Sequence, residues 1–461
     1  MTMATSVPKE SFRLSMLLYD TRFRSYTIQI VVLILFLAAL GWLVNNTVQN
    51  LAAKDRTFDF GFLFNRAGYD INPHLINYTN DDTHGRALLV GLLNTLSVAI
   101  FGCIFATILG VAAGVLRLSS NWIVARLMTV YVEITRNVPV LLWIIVTYVA
   151  LAETTSPPSA FKITPDMVKE GIAPEASMHL WSSVAITNRE ISIPAPLVRH
   201  SLGSIDFGLF SLSLDFLAFV ALLVASIAVS RWLGRRATRI QEETGRRPLT
   251  WPLRAAVLIL PVVALLTAQG FHLERPSMWK TDTNGDYILV DGTGQELVDA
   301  NGLALPDAEG QRITSGFNFR GGIPLTHAFT ALLVGLVFYT GAYIAEIVRA
   351  GILAVSRGQS EAAYALGLAP QRTMNLVVLP QALRVIVPPL ISQYLNLTKN
   401  TSLAAAVSFM DLKGTLGGIT MNQTGKELEC MLLMMGIYLV LSLIISAVMN
   451  VYNKAVMLKE R

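Results

Sequence analysis

Long stretches of this chain carry neither an acid nor a base. Residues 25–53, 87–116, 321–345 and 430–453 are free of Asp, Glu, Lys and Arg. A helix needs ~20 mostly apolar residues to cross a hydrocarbon layer of ~30 Å, and each of these stretches is long enough. Only 15% of all residues are charged, against roughly 25% in a soluble domain. The deficit excludes a cytosolic enzyme and a disordered chain. The two cysteines, Cys103 and Cys430, both lie inside apolar runs and offer no disulfide framework or zinc site.

Further spans are expected at residues 122–152, 216–230, 255–271 and 385–410, which brings the count to eight. Orientation follows from the basic loops. Residues 231–254 carry seven Arg and two Glu, and residues 349–384 carry four Arg and one Glu. Residues 271–323 carry four bases against eight acids. Alternation across eight spans puts both basic loops and both termini in the cytoplasm, with the acidic loop outside. The net charge of +5 then reflects cytoplasmic arginines, and no nucleic-acid partner is implied. Lys9, Arg13, Arg22 and Arg24 precede the first run. A signal peptide competes here, but the run is too long and no small-residue cleavage site follows, so an uncleaved span is expected.

Residues 54–86, 153–215 and 271–323 are polar and external in this scheme. In the last, Asn-Gly and Asp-Gly steps flank Tyr287-Ile-Leu-Val290, a turn–strand pattern that predicts a small external β-meander. Asp282, Asn284 and Asp286 imitate the start of a calcium loop. Tyr287 stands where that loop needs Gly, and Thr293 where it needs Glu, so a hairpin is the better reading. Gly110 and Gly114, four residues apart in the second span, permit close helix approach.

The most informative segment is Glu361-Ala-Ala-Tyr-Ala-Leu-Gly367, followed by Val377-Val-Leu-Pro380. Ser360 to Leu366 are good helix formers, and Gly367 can end a helix with positive φ. Pro380, Pro388 and Pro389 constrain the returning chain. The segment therefore predicts a short helix projecting on two arms. It resembles the EAA loop of the membrane subunits of bacterial ABC importers, with Val377 in place of the usual Ile. Its flanks sharpen the resemblance: Gly341-Ala-Tyr-Ile-Ala-Glu-Ile-Val-Arg-Ala-Gly351 before it, then Leu379-Pro-Gln-Ala-Leu-Arg384 and Leu397-Thr-Lys-Asn-Thr-Ser-Leu403 after it. Tyr131-Val-Glu-Ile-Thr-Arg-Asn-Val-Pro139 is similar to a further family stretch, and departs from it at Asn137 and Val138. Together these resemble the polar amino-acid permeases, in the long form of the general L-amino-acid type.

The resemblance implies an all-α polytopic membrane protein of about eight spans, built on a five-helix permease core. That core falls in residues 86–153 and 323–461, with the coupling loop at 357–384. An extra first span occupies 1–85, and 154–322 is an insertion with two spans. The implied function is L-amino-acid translocation in the inner membrane by alternating access. The implied partners are a cytoplasmic ATPase dimer that holds ATP and Mg, a second permease, identical or related, and a periplasmic amino-acid-binding protein. Glu361, Ala362, Ala363, Gly367, Leu379 and Pro380 would contact the ATPase. This chain has no cofactor and no P-loop of its own: Gly425-Lys-Glu427 lacks the first Gly and the Ser/Thr after Lys. Two other classes remain open, an ion-coupled secondary transporter or channel and an intramembrane enzyme. The first gives no reason for the loop. The second lacks a nucleophile or metal motif, and His327 reads as a packing or helix-entry residue.

Charges inside spans are costly and normally face a cavity or each other. Glu133 and Arg136, and Glu346 and Arg349, are spaced i,i+3 and can each pair on one helix face. A straight helix from Trp122 puts Arg136 about 20 Å in, near mid-membrane. Two readings stand: ion pairs that hold the bundle, or a polar site for an amino-acid zwitterion. For the second, Glu133, Arg136, Asn137, Glu346, Lys399, Asn400, Thr401 and Ser402 are the candidates, with Lys399 foremost. Pro139 and the Pro388-Pro389 pair can free backbone groups beside such a site.

Overall fold

The computed structural model describes residues 21–53, 58–206, 211–246, 248–282, 286–305 and 309–456. Lys9, Arg13 and Asn284 lie outside the described residues. Residues 1–62 and 63–461 form two compact units. The first contains helix α1, Thr21–Ala52. Its apolar side chains, Ile30, Leu33, Phe36 and Leu37 among them, are exposed all round the helix, the pattern of a helix meant for lipid.

In the second unit, the core helices start where the sequence supplies caps. Helix α2, His84–Leu116, begins at Thr83, whose hydroxyl accepts the Arg86 N–H. Helix α3, Trp122–Asn137, begins at Asn121, whose side chain accepts the Ile123 and Val124 N–H groups. Among the described residues, seven helices are long and apolar enough to cross a membrane, or eight if one bent pair counts as a span.

That bent pair is the third expected stretch, broken in the middle. Residues 122–152 do not form one helix. α3 stops at Asn137, and α4, Val140–Thr154, leaves it at 106°. Pro139 caps α4, and a residue before proline is driven out of the helical region; Val138 is accordingly extended. The proline pair behaves otherwise. A continuous helical stretch, Pro370–Val407, runs through a π turn at Met374–Val378, helix α9 at Leu379–Asn400 and a 3-10 turn at Thr401–Val407, and it passes Pro388-Pro389 without a break.

The central element is α7, His327–Leu353. Its Leu332, Leu336, Ile344 and Val348 join Val98 and Ala106 of α2, Ile144 of α4, Ile386 and Leu397 of α9, and Phe409 in one buried core. Gly110 and Gly114 let α2 press against α7. A Cβ on Gly110 would lie 2.5 Å from the Ile344 Cβ, and one on Gly114 would lie 2.6 Å from the Ala345 carbonyl. Helix α10, Glu427–Val456, packs on α9. Helices α5, Leu214–Thr244, and α6, Trp251–Ala268, form a hairpin of their own. The short helix α8, Arg357–Ala365, lies between α7 and the Pro370 stretch.

Among the described residues the strands form five short ladders, two of which join the two sides of the hairpin; β4, Ser204–Asp206, pairs locally with β5, Ser211–Ser213. β1, Ala185–Ile186, pairs with β2, Glu190–Ile193, which pairs with β9, Ile323–Thr326; β3, Ala195–Val198, pairs with β6, Phe271–Glu274. A local meander exists beside them. β7, Leu289–Val290, pairs with β8, Gln311–Arg312, and single bridges join Thr281 to Tyr287, Val290 to Glu296 and Val298 to Ala304. The cross-loop ladders were not legible locally, because their partners are separated by the hairpin.

The meander's turns are built by a spaced aspartate. Asp291 Oδ1 accepts the N–H groups of Thr293 and Gln295, and Asp299 Oδ1 accepts those of Asn301 and Leu303. Asp282 Oδ1 likewise accepts the Asp286 N–H, and Thr281 bridges Tyr287 next to them. His327 opens α7, and its Nε2–H donates to the Thr187 carbonyl at 2.7 Å, which ties this helix entry to the turn between β1 and β2.

Candidate functional site

The segment 357–384 forms a protrusion. α8 ends in a left-handed residue, Gly367, at φ +77°. The Gly367 N–H donates to the Tyr364 carbonyl and the Leu368 N–H to the Ala363 carbonyl, the paired bonds of a Schellman turn. The turn satisfies the last carbonyls and swings the chain into Pro370, which opens the next helical stretch. Ala363 is buried beneath the turn, while Glu361, Ala362, Gly367 and Leu379 face outward and Pro380 is half-buried. Leu366 is 83% exposed at the apex, with Tyr364 and Leu376 also exposed. Gln381 Nε2 donates to Gln359 Oε1 at 3.4 Å across the two arms. An apolar knob on a capped, braced helix is a surface shaped to be covered.

Behind the protrusion, four charges from α2, α3 and α7 meet. Arg117, just past the end of α2, bonds Glu346 and lies 3.9 Å from Glu133. Arg349 pairs with Glu346 at 2.6 Å. The Arg117 side chain is only 7% exposed. The i,i+3 pairing holds for Glu346 and Arg349, and no described pair joins Glu133 to Arg136. Arg117 was missed by the sequence reading because it closes an apolar run and looks like an ordinary loop cation.

Arg136 turns instead to α7. Its guanidinium lies over the Tyr343 ring, 5.1 Å from the centroid, and its Nε is buried without a hydrogen-bond partner. The Tyr343 hydroxyl donates to the Arg136 carbonyl at 3.5 Å and sits 3.3 Å from the Tyr339 hydroxyl. Arg136 stands on the continuous helix from Trp122, one residue before the 106° break begins. Asn137 is spent locally, its Nδ2 donating to the Glu133 carbonyl.

Lys399 is exposed near the end of α9, with no ion pair among the described residues, and Asn400 beside it is half-buried. Thr401 is buried and donates to the Thr398 carbonyl, and Ser402 donates to the Lys399 carbonyl. The two charged sites occupy different levels. Ile344, next to Tyr343, packs at Gly110, and Leu397, two residues before Lys399, packs at Gly102. Eight residues along α2 separate these levels by about 12 Å. Gly102 is close to the middle of α2, so the Lys399 level is the deeper one.

A second polar cluster lies at the other end of α2. The His84 ring is 3.1 Å from the Thr420 hydroxyl, Asn94 Nδ2 donates to the carbonyls of Pro73 and Met410, and the Thr95 hydroxyl accepts the Leu412 N–H. Asp411, fully buried, caps Gly414 and accepts from Tyr438. These residues are scattered in sequence and carried no motif.

The family described as "Binding-protein-dependent transport system inner membrane component" matches residues 106–457. The glutamate/glutamine/aspartate/asparagine transport system permease protein BztB of Rhodobacter capsulatus is 56% identical, over 100% of both chains. The general L-amino acid transport system permease protein AapQ of Rhizobium johnstonii is 38% identical, over 98% of this chain and 96% of its own. A solved structure titled "Crystal structure of an amino acid ABC transporter with histidines" aligns with 81% of this chain and 95% of its own, at 16% identity and a TM-score of 0.39.

Proposed function

The chain belongs to the binding-protein-dependent transport system inner membrane component family, as a permease subunit of an amino-acid ABC importer, and from this premise we propose that it passes acidic amino acids and their amides into the cytoplasm. The substrate class follows the full-length likeness to a permease named for glutamate, glutamine, aspartate and asparagine. The family works with an ATPase and a binding protein. In our reading, ATPase subunits seat on the protrusion, a second permease completes the pathway, both termini are cytoplasmic, and the basic loops of α5–α6 and 349–384 share that side.

The observation that carries this reading is the protrusion: a Schellman-capped helix that exposes Leu366 and Glu361 and is braced across its base. An ion-coupled transporter needs no such surface. Affinity purification of the full complex in mild detergent, followed by mass spectrometry, tests it. The expected companions are a second permease, one ATPase species and an amino-acid-binding protein. A chain that purifies alone and transports without ATP would overturn the reading.

For the pathway we assign Lys399, with the Asn400 amide, to the substrate carboxylate at the deeper level, while the Thr401 and Ser402 hydroxyls, whose protons go to backbone carbonyls, shape that turn and can only accept. An exposed cation in an apolar helical stretch supports this, because isolated charge at such depth is costly unless a cavity or partner surface faces it. Arg136 and Tyr343 form a second station toward the protrusion. Glu133 and Glu346 are held by Arg117 and Arg349, which favours a bracing role for that cluster. Lys399→Met should lower substrate-coupled ATPase activity and uptake while the ATPase stays bound. Unchanged uptake would remove Lys399 from the pathway.

A further inference from the structure

The hairpin α5–α6 has one end of each polarity. At one end Asp215 accepts from the Ser201 hydroxyl, the Leu202 N–H and the Gln269 amide, which closes the hairpin where it meets the external strands. At the other end α5 does not stop with its apolar run. It continues through Arg231, Arg235, Arg236 and Arg239 before its glycine cap at Gly245. Arg231, Arg235 and Arg239 recur at i, i+4 and i+8, so they share one helix face. All four are exposed, and none has an ion pair among the described residues. Glu242 and Glu243 follow a turn further on.

Heights along the helix decide what this stripe meets. At ~1.5 Å per residue, Arg231 stands about 24 Å from Asp215, Arg235 about 30 Å and Arg239 about 36 Å. A hydrocarbon core is ~30 Å thick, and ~40–45 Å with its headgroup layers. The stripe therefore crosses the edge of the core and the headgroup layer. Two exposed tryptophans, Trp232 on α5 and Trp251 at the start of α6, mark the same level, where indole rings gather at membrane interfaces. Arg236 stacks over Trp232 at 5.6 Å, and Arg254 of α6 reaches back to the Ser230 hydroxyl. The cations are aimed where phosphodiesters lie, next to apolar helix faces that meet acyl chains.

We infer that the arginine stripe of α5, with Trp232 and Trp251 beside it, is a binding site for the headgroups of anionic phospholipids. Guanidinium groups pair with phosphate oxygens through two parallel N–H bonds, and the bare apolar faces of α5 and α6 accept the chains of the same lipid. This inference does not depend on what the permease transports.

The test is native mass spectrometry of the full chain released from detergent, titrated separately with phosphatidylglycerol, phosphatidylcholine and glycerol 3-phosphate. Phosphatidylglycerol should be retained roughly tenfold more than phosphatidylcholine, and its retention should fall as ionic strength rises. Glycerol 3-phosphate should not be retained. Replacing Arg231, Arg235, Arg236 and Arg239 by Gln should bring phosphatidylglycerol down to the phosphatidylcholine level, and replacing them by Lys should restore part of it. Equal retention of the two lipids by the unaltered chain would overturn the inference, and that comparison needs no variant. Equal retention of glycerol 3-phosphate would show a soluble-anion site instead. A Gln variant that keeps its lipid but loses the ATPase would reassign the stripe to a protein partner.

Discussion

Leu366→Ala isolates the contact proposed between permease and ATPase. Leu366 stands at the apex of the Schellman turn with 83% of its surface in solvent. Alanine removes three side-chain carbons. At about 0.8 kcal/mol per buried CH₂, scaled by the exposed fraction available for covering, full coverage by a partner is worth about 2 kcal/mol, or roughly 30-fold in affinity. The free permease should hardly notice, since exposed substitutions away from special features stay within about 0.5 kcal/mol. The assay is a titration of purified ATPase against the detergent-solubilised full chain, beside thermal unfolding of the permease alone. A 30-fold weaker Kd with an unchanged unfolding temperature is expected. A change in Kd under threefold would refute the docking geometry. A parallel loss of thermal stability would refute the premise that Leu366 is free before docking.

Three further outcomes follow from the same structure. Gly114→Val should destabilise the α2–α7 packing by about 1–3 kcal/mol, because even a Cβ there meets the Ala345 carbonyl at 2.6 Å; thermal unfolding in detergent checks it. Arg117→Gln removes the cation shared by Glu346 and Glu133 while Arg349 still holds Glu346 and Glu133 stays exposed, so it should cost about 1–2 kcal/mol, with Arg117→Lys recovering part of it in the same assay. In the meander of residues 286–305, the Thr293 hydroxyl and the Gln295 N–H hold Asp291 below the usual carboxylate range, and the Leu303 and Asn301 N–H groups do the same for Asp299. A depressed folded pKa gives stability that is present above the unfolded value of 3.8 and is lost as pH falls through the folded value. Protease sensitivity of residues 286–305 should therefore rise only below about pH 4 and stay flat from pH 5 to 8.

Much of the helical plan was legible because apolar runs and caps are local signals. The charge-free runs at residues 87–116, 321–345 and 430–453 became α2, α7 and α10 within a few residues at most ends. The protrusion was legible for the same reason, since helix formers followed by Gly367 dictate a capped turn. The break inside the third span was not legible because hydropathy reports how apolar a segment is, while one proline decides its direction; Val138-Pro139 divides the expected stretch into two helices at 106°. The charges show the limit of spacing arguments. Glu346 and Arg349 meet as i,i+3 neighbours, but Arg136 leaves Glu133 for a tyrosine on another helix, and Arg117 joins the cluster from far along the chain. The turn aspartates Asp291 and Asp299 recur eight residues apart, each with Gly three residues later, a signal that the reading of Asn-Gly and Asp-Gly steps passed over.

Uptake of labelled L-glutamate into proteoliposomes tests the central claim most directly. The vesicles would hold the purified complex, with ATP inside and the binding protein outside. ATP-dependent accumulation that stops when residues 360–367 are deleted, while the permease still inserts, is the result expected. Accumulation by the permease alone under an ion gradient, unaffected by that deletion, would contradict the account.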